Sequence, residues 1–193
     1  MKKILFLALL LVPAFVFSKK VINYKKYLSG AVPVVNGMVT FEKSLSFPGM
    51  SKTQIFEKAM QYVNGVIEVS EHPDYSRVTS QSSDDGTIAA SITEYMYFKK
   101  KKWETDFCHF RYQFLVECTD GKAGIKIQRL SYIYDEERNA DNANFSAEGW
   151  ITDDNALKTG GKELKKAPGK FRMATIDRME QLLSEIEACI KGK

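Results

Sequence analysis

From Cys108 to Cys118 every second residue is apolar: Cys108, Phe110, Tyr112, Phe114, Val116 and Cys118. Between them stand His109, Arg111, Gln113 and Glu117. Side chains alternate across a strand, so a period of two places one set on each face. A pairing slip of one residue would exchange the faces, so the pattern specifies register as well as conformation. It calls for an antiparallel sheet with one face on a core and the other in water. Even positions from Cys108 to Cys118 are therefore expected under a covering layer, and odd positions are expected wet.

Other segments share the period. Val39, Phe41, Leu45 and Phe47 fall on one side of a strand beginning near Gly37, with Lys43 interrupting. Ile88, Ala90, Ile92, Met96 and Phe98 do so between Thr87 and Phe98, and Arg77 to Gln81 reads as a shorter strand. Asp84-Asp85-Gly86 and Asp120-Gly121 are hairpin turns. Ala123, Ile125 and Ile127 open a last strand, whose phase then slips to Leu130, Tyr132 and Tyr134. A bulge near Gln128 accounts for the slip.

Two segments change to helical spacing. Ser51 with Gln54 three residues later forms a capping box, in which each side chain serves the other residue's backbone N–H. Ile55, Phe56, Ala59, Met60 and Val63 follow, and Asn64-Gly65 predicts the stop. From Phe171, residues Ile176, Met179, Leu183, Ile186 and Ile190 step by threes and fours, widened by Leu182 and Cys189 and ended by Gly192. The predicted fold is α+β: one antiparallel sheet with two helices packed on one face.

The ends and the loops carry less pattern. Lys2 and Lys3 precede an apolar run, Ile4 to Phe17, and Val16-Phe17-Ser18 suits cleavage after Ser18. Residues 1–18 read as a secretory signal peptide. The run is too short for a span, which needs about 20 residues. No cysteine precedes Cys108, so an N-terminal lipid anchor is not expected, and the product should be soluble in the periplasm or outside the cell. Residues 19–36 read as a linker, 37–193 as one domain, and 135–168 as a long polar loop containing Trp150 and Ile151. Loops of that length are commonly functional.

The formal charge of +4, less Lys2 and Lys3, leaves +2, too little for a strong global pull on polyanions. Cys108 and Cys118, ten residues apart on one strand, lie roughly 33 Å apart and cannot bridge each other. One could meet Cys189 across a helix–sheet contact, although three buried thiols fit better. The cysteines lack CxxC spacing, so no metal site or cofactor is expected.

The stretches GMVTFEKSLSFPGMSKTQIFEKAMQYV, GTIAASI, WITDDNAL and GKFRMATID resemble a bacterial secreted family, the domain of unknown function 4468, described as TBP-like. The resemblance runs from about Gly37 to the C-terminus. It implies a strand, a helix, four strands and a helix, with a curved sheet. It assigns no activity.

Several constellations bear on function. Tyr97 to Trp103 reads YFKKKKW. Lys99, Lys100, Lys101 and Lys102 fit a solvated turn that also blunts a sheet edge. They also fit peripheral contact with an anionic surface. Nucleic acid fits poorly, because the chain reads as exported, nearly neutral, and a single unit where the DNA-bending relative of this fold has two in tandem. His72 and His109 read as surface histidines. Glu71, His72 and Asp74 form an unspecific metal-like group, while Asp135-Glu136-Glu137 and Asp153-Asp154 read as solvated charge. There is no GxSxG turn and no catalytic residue is assigned. Trp150, Lys170 and Arg172, beside Phe171, fit either recognition of an anionic or planar ligand or packing of the loop, with Arg172 pairing a loop aspartate.

The reading that results is an exported, non-enzymatic binding module of the cell envelope. Its face would be the uncovered sheet, with Tyr95, Tyr97, Trp103, Phe107 and Arg111 as contacts and the long loop as border. The competing classes are an envelope hydrolase acting on glycan or cell-wall material, and a structural component of an envelope assembly.

Overall fold

The computed structural model describes residues 24–70, 75–101, 103–134 and 144–192. Residues 1–18, read as a signal peptide, Lys102, the Glu71-His72-Asp74 group and Asp135-Glu136-Glu137 lie outside these residues. In chain order the elements are a 3-10 turn (Tyr24–Tyr27), β1 (Val34–Val35), β2 (Met38–Ser46), α1 (Lys52–Val69), β3 (Arg77–Ser82), β4 (Thr87–Lys101), β5 (Glu104–Thr119), β6 (Lys122–Ile133), β7 (Asn144–Ser146), α2 (Ala147–Trp150), α3 (Asp153–Ala156) and α4 (Lys166–Lys191).

The strands form one antiparallel sheet in the order β1-β2-β6-β5-β4-β3, with β7 added to β6. On β5 the alternation is realised in full: Cys108, Phe110, Tyr112, Phe114, Val116 and Cys118 are each at most 2% exposed. They join Ile88, Ala90 and Ile92 of β4 and Ile125 and Ile127 of β6 in one core. Helices α1 and α4 close that core from the same side, touching each other where the Tyr62 hydroxyl donates to the Leu182 carbonyl at 3.3 Å. Each large side chain so buried contributes about 1.5–3 kcal/mol.

The phase slip on β6 is a bulge. Pairing passes from Gln113↔Gln128 to Arg111↔Ser131, so Arg129 and Leu130 together face Tyr112. Arg129 adopts φ 56°, a left-handed conformation costly for a side chain with a Cβ. The extra residue keeps Ile127, Leu130 and Tyr132 all under the helices. It also divides the strand's other edge, which pairs with β2 before the bulge and with β7 after it.

Three charges in the apolar phase meet partners on α4. Lys43 of β2 pairs with Glu187 at 2.6 Å. Glu94 of β4 accepts two bonds from Arg178, both 2.8 Å. Asp106 of β5 accepts from Lys170 at 2.8 Å. Burial works against the Arg178 charge, but Glu94 raises its pKa above the ordinary guanidinium value.

Four sequence expectations need correction. The capping box forms as expected, with Ser51 N to Gln54 Oε1 at 2.9 Å and Gln54 N to Ser51 Oγ at 3.3 Å. However, α1 does not stop at Asn64-Gly65; it continues to Val69, because Val66 reaches the core. A helical glycine costs about 1 kcal/mol, less than that burial returns. Helix α4 starts at Lys166, not Phe171, and Pro168 sits in its first turn, where no backbone N–H is needed. A Cβ at Gly169 would stand 2.9 Å from Leu164 Cβ, so the chain crosses there only as glycine. The described part of the linker, residues 24–36, packs on the domain through buried Tyr27 and Val32. The described part of the polar loop carries β7, α2 and α3, with Ala147, Ile151, Ala156 and Leu157 buried.

Candidate functional site

Two aromatic clusters lie on opposite sides of the sheet. The first is on the face without helices. Cross-strand pairing sets Tyr95 of β4 against His109 of β5, and Tyr97 against Phe107. Ring centroids are 4.9 Å apart for Tyr95–His109 and 5.0 Å for Tyr95–Phe107, both edge-to-face. Tyr97 lies 5.8 Å from Phe107, and Lys100 Nζ sits 4.3 Å from the Tyr97 centroid. Phe107 remains 39% exposed. Arg111 stands exposed two residues further along the same face. Beyond it Gln128 donates to Gln113 at 3.2 Å. At the far end a hollow of about 320 Å³ lies over Gly124, with Leu115, Glu117, Glu42 and Lys126 among its walls. Trp103, 85% exposed, occupies the β4–β5 turn.

The second cluster lies beneath the loop and α4. Phe145 stacks on Trp150 at 4.8 Å, and Phe171 meets Phe98 at 4.4 Å and Tyr132 at 5.2 Å. Phe98 shares the core-facing phase of Ile92 and Met96, and a second bulge falls at it, where pairing passes from Tyr97↔Phe107 to Lys99↔Asp106. Lys170 Nζ lies over the Phe98 and Tyr134 rings and bonds Asp106 and the Tyr134 hydroxyl. Burial opposes the Lys170 charge, yet the Asp106 and Tyr134 bonds hold its pKa above the ordinary lysine value.

Arg172 is sealed, at 0% exposure. Its Nε donates to the Tyr27 carbonyl at 2.6 Å, and its terminal nitrogens donate to the Ile151 and Leu28 carbonyls and to Asp153 Oδ1 at 2.6–2.7 Å. Asp153 also accepts from Ser29 Oγ and the Gly30 amide, each at 2.8 Å. Burial acts to raise the Asp153 pKa, but Gly30, Ser29 and Arg172 hold it below its ordinary value.

The eight candidate contacts therefore separate. Tyr95, Tyr97, Phe107 and Arg111 share the uncovered face, and Trp103 marks the turn at one end of it. Trp150, Lys170 and Arg172 do not reach that face. For Arg172 the ligand-contact alternative is corrected and the packing alternative holds, with Asp153 as the loop aspartate: four acceptors within the fold use its guanidinium. Lys170 is likewise taken up by Asp106 and Tyr134. His109, read as an ordinary surface histidine, is half-buried within the exposed cluster. The Glu94–Arg178 pair was missed; the partners lie 84 residues apart, and no local pattern joins them.

All three cysteines are free; Cys108 and Cys118 are buried and Cys189 is half-buried. Burial pushes the Cys118 thiol up to about 11 and the Cys108 thiol higher. Among the described residues no group of three His, Cys, Asp or Glu side chains is placed to hold a metal ion. No helix among them is long and apolar enough to cross a membrane.

The family model for a domain of unknown function with TBP-like fold, DUF4468, matches residues 41–133. That match ends before WITDDNAL and GKFRMATID. A crystal structure of a DUF4468 family protein from Bacteroides ovatus ATCC 8483 is 27% identical, with a TM-score of 0.80, covering 88% of this chain and 95% of that one. A TBP-like protein from Parabacteroides distasonis ATCC 8503, 21% identical, shares the fold with a TM-score of 0.66 over 83% of this chain and 97% of its own. No curated protein matches the chain. Over residues 41–133 this chain thus matches the domain of unknown function DUF4468, and it shares the TBP-like fold.

Proposed function

We propose that the protein is an exported, non-enzymatic binding module whose uncovered sheet face takes a partner or small ligand in the cell envelope. The observation that carries this reading is the cluster of Tyr95, Tyr97, Phe107 and His109 on the side of the sheet away from the core. Covering a phenylalanine fully contributes about 1.5–3 kcal/mol, and the fold leaves much of that unrealised at Phe107. Arg111, exposed beside the cluster, supplies a directional charged donor for a carboxylate, phosphate or carbonyl. Stacked rings give affinity with little loss of side-chain freedom, and the guanidinium orients what they hold.

The test is affinity capture from envelope extract, with the wild-type protein beside Phe107→Ala and Arg111→Ala variants of unchanged fold. A protein, glycan or lipid retained by the wild type and lost from both variants supports the reading. Equal recovery from all three removes the face from the function. The export component rests on residues 1–18 and is checked by the N-terminal sequence of protein from the periplasmic or culture fraction. A chain that stays cytoplasmic with residues 1–18 intact would contradict it.

A further inference from the structure

Lys99, Lys100, Lys101 and Trp103, singled out in the sequence, fall at the end of the β4–β5 hairpin, at the margin of the binding face. Strands β4 and β5 continue past their neighbours. The last β5–β6 pair is His109↔Ile133, and the first β3–β4 pair is Arg77↔Ser91, whereas β4 and β5 stay paired out to Lys101↔Glu104. From Cys108 to Glu104 the hairpin projects beyond β6 by about 17 Å, at roughly 3.3 Å per residue. Its root is braced on the helix side by Phe98 against Phe171 and by Asp106 on Lys170. Its end carries Lys100 and Lys101, both exposed, and Trp103 at 85% exposure.

A turn requires no tryptophan; small polar residues and glycine serve there at lower cost. An indole with an apolar body and one N–H donor is suited to the boundary between lipid headgroups and acyl chains. Lysines beside it are suited to the negative potential of that boundary. Within Tyr97–Asp106 the acids are Glu104 and Asp106, and Asp106 is committed to Lys170. The tip is therefore a point of net positive charge with a ring at its apex.

We propose that this hairpin tip docks the protein on an anionic lipid surface, with Trp103 entering the headgroup layer and Lys99, Lys100 and Lys101 facing anionic headgroups. The shape favours lipid over nucleic acid: single-strand binding uses a charged groove with successive rings along it, whereas here charge and ring meet at one protruding point. This proposal is independent of the ligand bound by the sheet face.

The test uses the natively produced protein with vesicles of phosphatidylglycerol plus phosphatidylcholine, against phosphatidylcholine alone, read by co-sedimentation and tryptophan emission. The chain has two tryptophans, and Trp150 is stacked on Phe145, so a blue shift reports Trp103. Binding and a blue shift with the anionic vesicles, weakened by salt, are expected. At roughly fivefold per lysine, the Lys100→Ser/Lys101→Ser double variant should bind about 30-fold more weakly. Trp103→Ser should lose the shift and part of the binding. All three substituted side chains are exposed, so the fold should persist, as near-ultraviolet circular dichroism would verify. Comparing variants with the wild type cancels any contribution from residues 4–17. Equal binding to both vesicle types, no effect of the substitutions, or duplex DNA binding without vesicle binding would each overturn the proposal.

Discussion

The two aromatic clusters look alike in sequence and differ in everything that decides their role. Each combines rings with nearby basic residues: Tyr95, Tyr97, Phe107 and Lys100 in one, Trp150, Phe171, Lys170 and Arg172 in the other. In the second, every cation has an internal partner, Lys170 on Asp106 and Arg172 on Asp153 and three carbonyls. In the first, Phe107 and Arg111 face water. A ring-and-cation pattern is therefore no sign of a binding site until the destination of its charge is known. The second cluster ties the N-terminal segment and the loop to α4, and the first leaves contact area free for another molecule.

Substitutions can break this contrast, and the largest effect is expected at Arg172. Arg172→Ala leaves the Tyr27, Leu28 and Ile151 carbonyls without their donor and should cost about 3–5 kcal/mol in urea unfolding. A loss below about 1 kcal/mol would mean that the segment and loop are held by something else. Phe171→Ala opens a cavity at the centre of the same cluster and should cost a similar 3–5 kcal/mol.

A smaller effect is expected from pH. The Asp153 carboxyl has its pKa lowered in the folded state, so its contribution is complete above the ordinary value near 3.8 and fades as pH falls through the folded-state value. Asp153→Asn should flatten that acid limb of the stability curve. An unchanged limb would show that the Arg172 clasp does not depend on this charge.

The smallest effect is expected on the open face. Tyr95→Ala and Phe107→Ala each forfeit ring contacts of about 0.5–1.5 kcal/mol and should melt close to the wild type. If both unfold markedly, those rings are core, and the contrast between the two clusters collapses.

Much of the sheet was legible. Period two on β5 gave its buried face residue by residue, and the parity change after Ile127 located a bulge within one position of Gln128. The Ser51–Gln54 box gave the start of α1. These signals are local, and each is read within about a dozen residues. The stop at Asn64-Gly65 was also a local signal, but core contacts made by Val66 overrode it. Residues 24–36 and 144–165 showed no period, because they pack as single side chains and backbone carbonyls and not as regular faces.

The candidate site was legible to the same degree. Tyr95, Tyr97, Phe107 and Arg111 follow from parity alone: if Phe110 and Phe114 are buried, the alternate positions are not. Parity put Phe98 on the helix side with Met96, but it could not say that Lys43, Glu94 and Asp106 would be matched in turn by Glu187, Arg178 and Lys170. Those matches depend on how α4 lies across the strands, and no window of sequence contains both partners.

By itself, then, the sequence determined which side of each strand avoids water, where α1 begins and where the sheet turns. Backbone geometry ties these to a residue's immediate neighbours. Tertiary structure alone decided whether a cation is spent inside the fold or left for solvent, since a charge is satisfied by whatever group the chain brings within about 3 Å of it. That proximity arises between residues as distant as Tyr27 and Arg172.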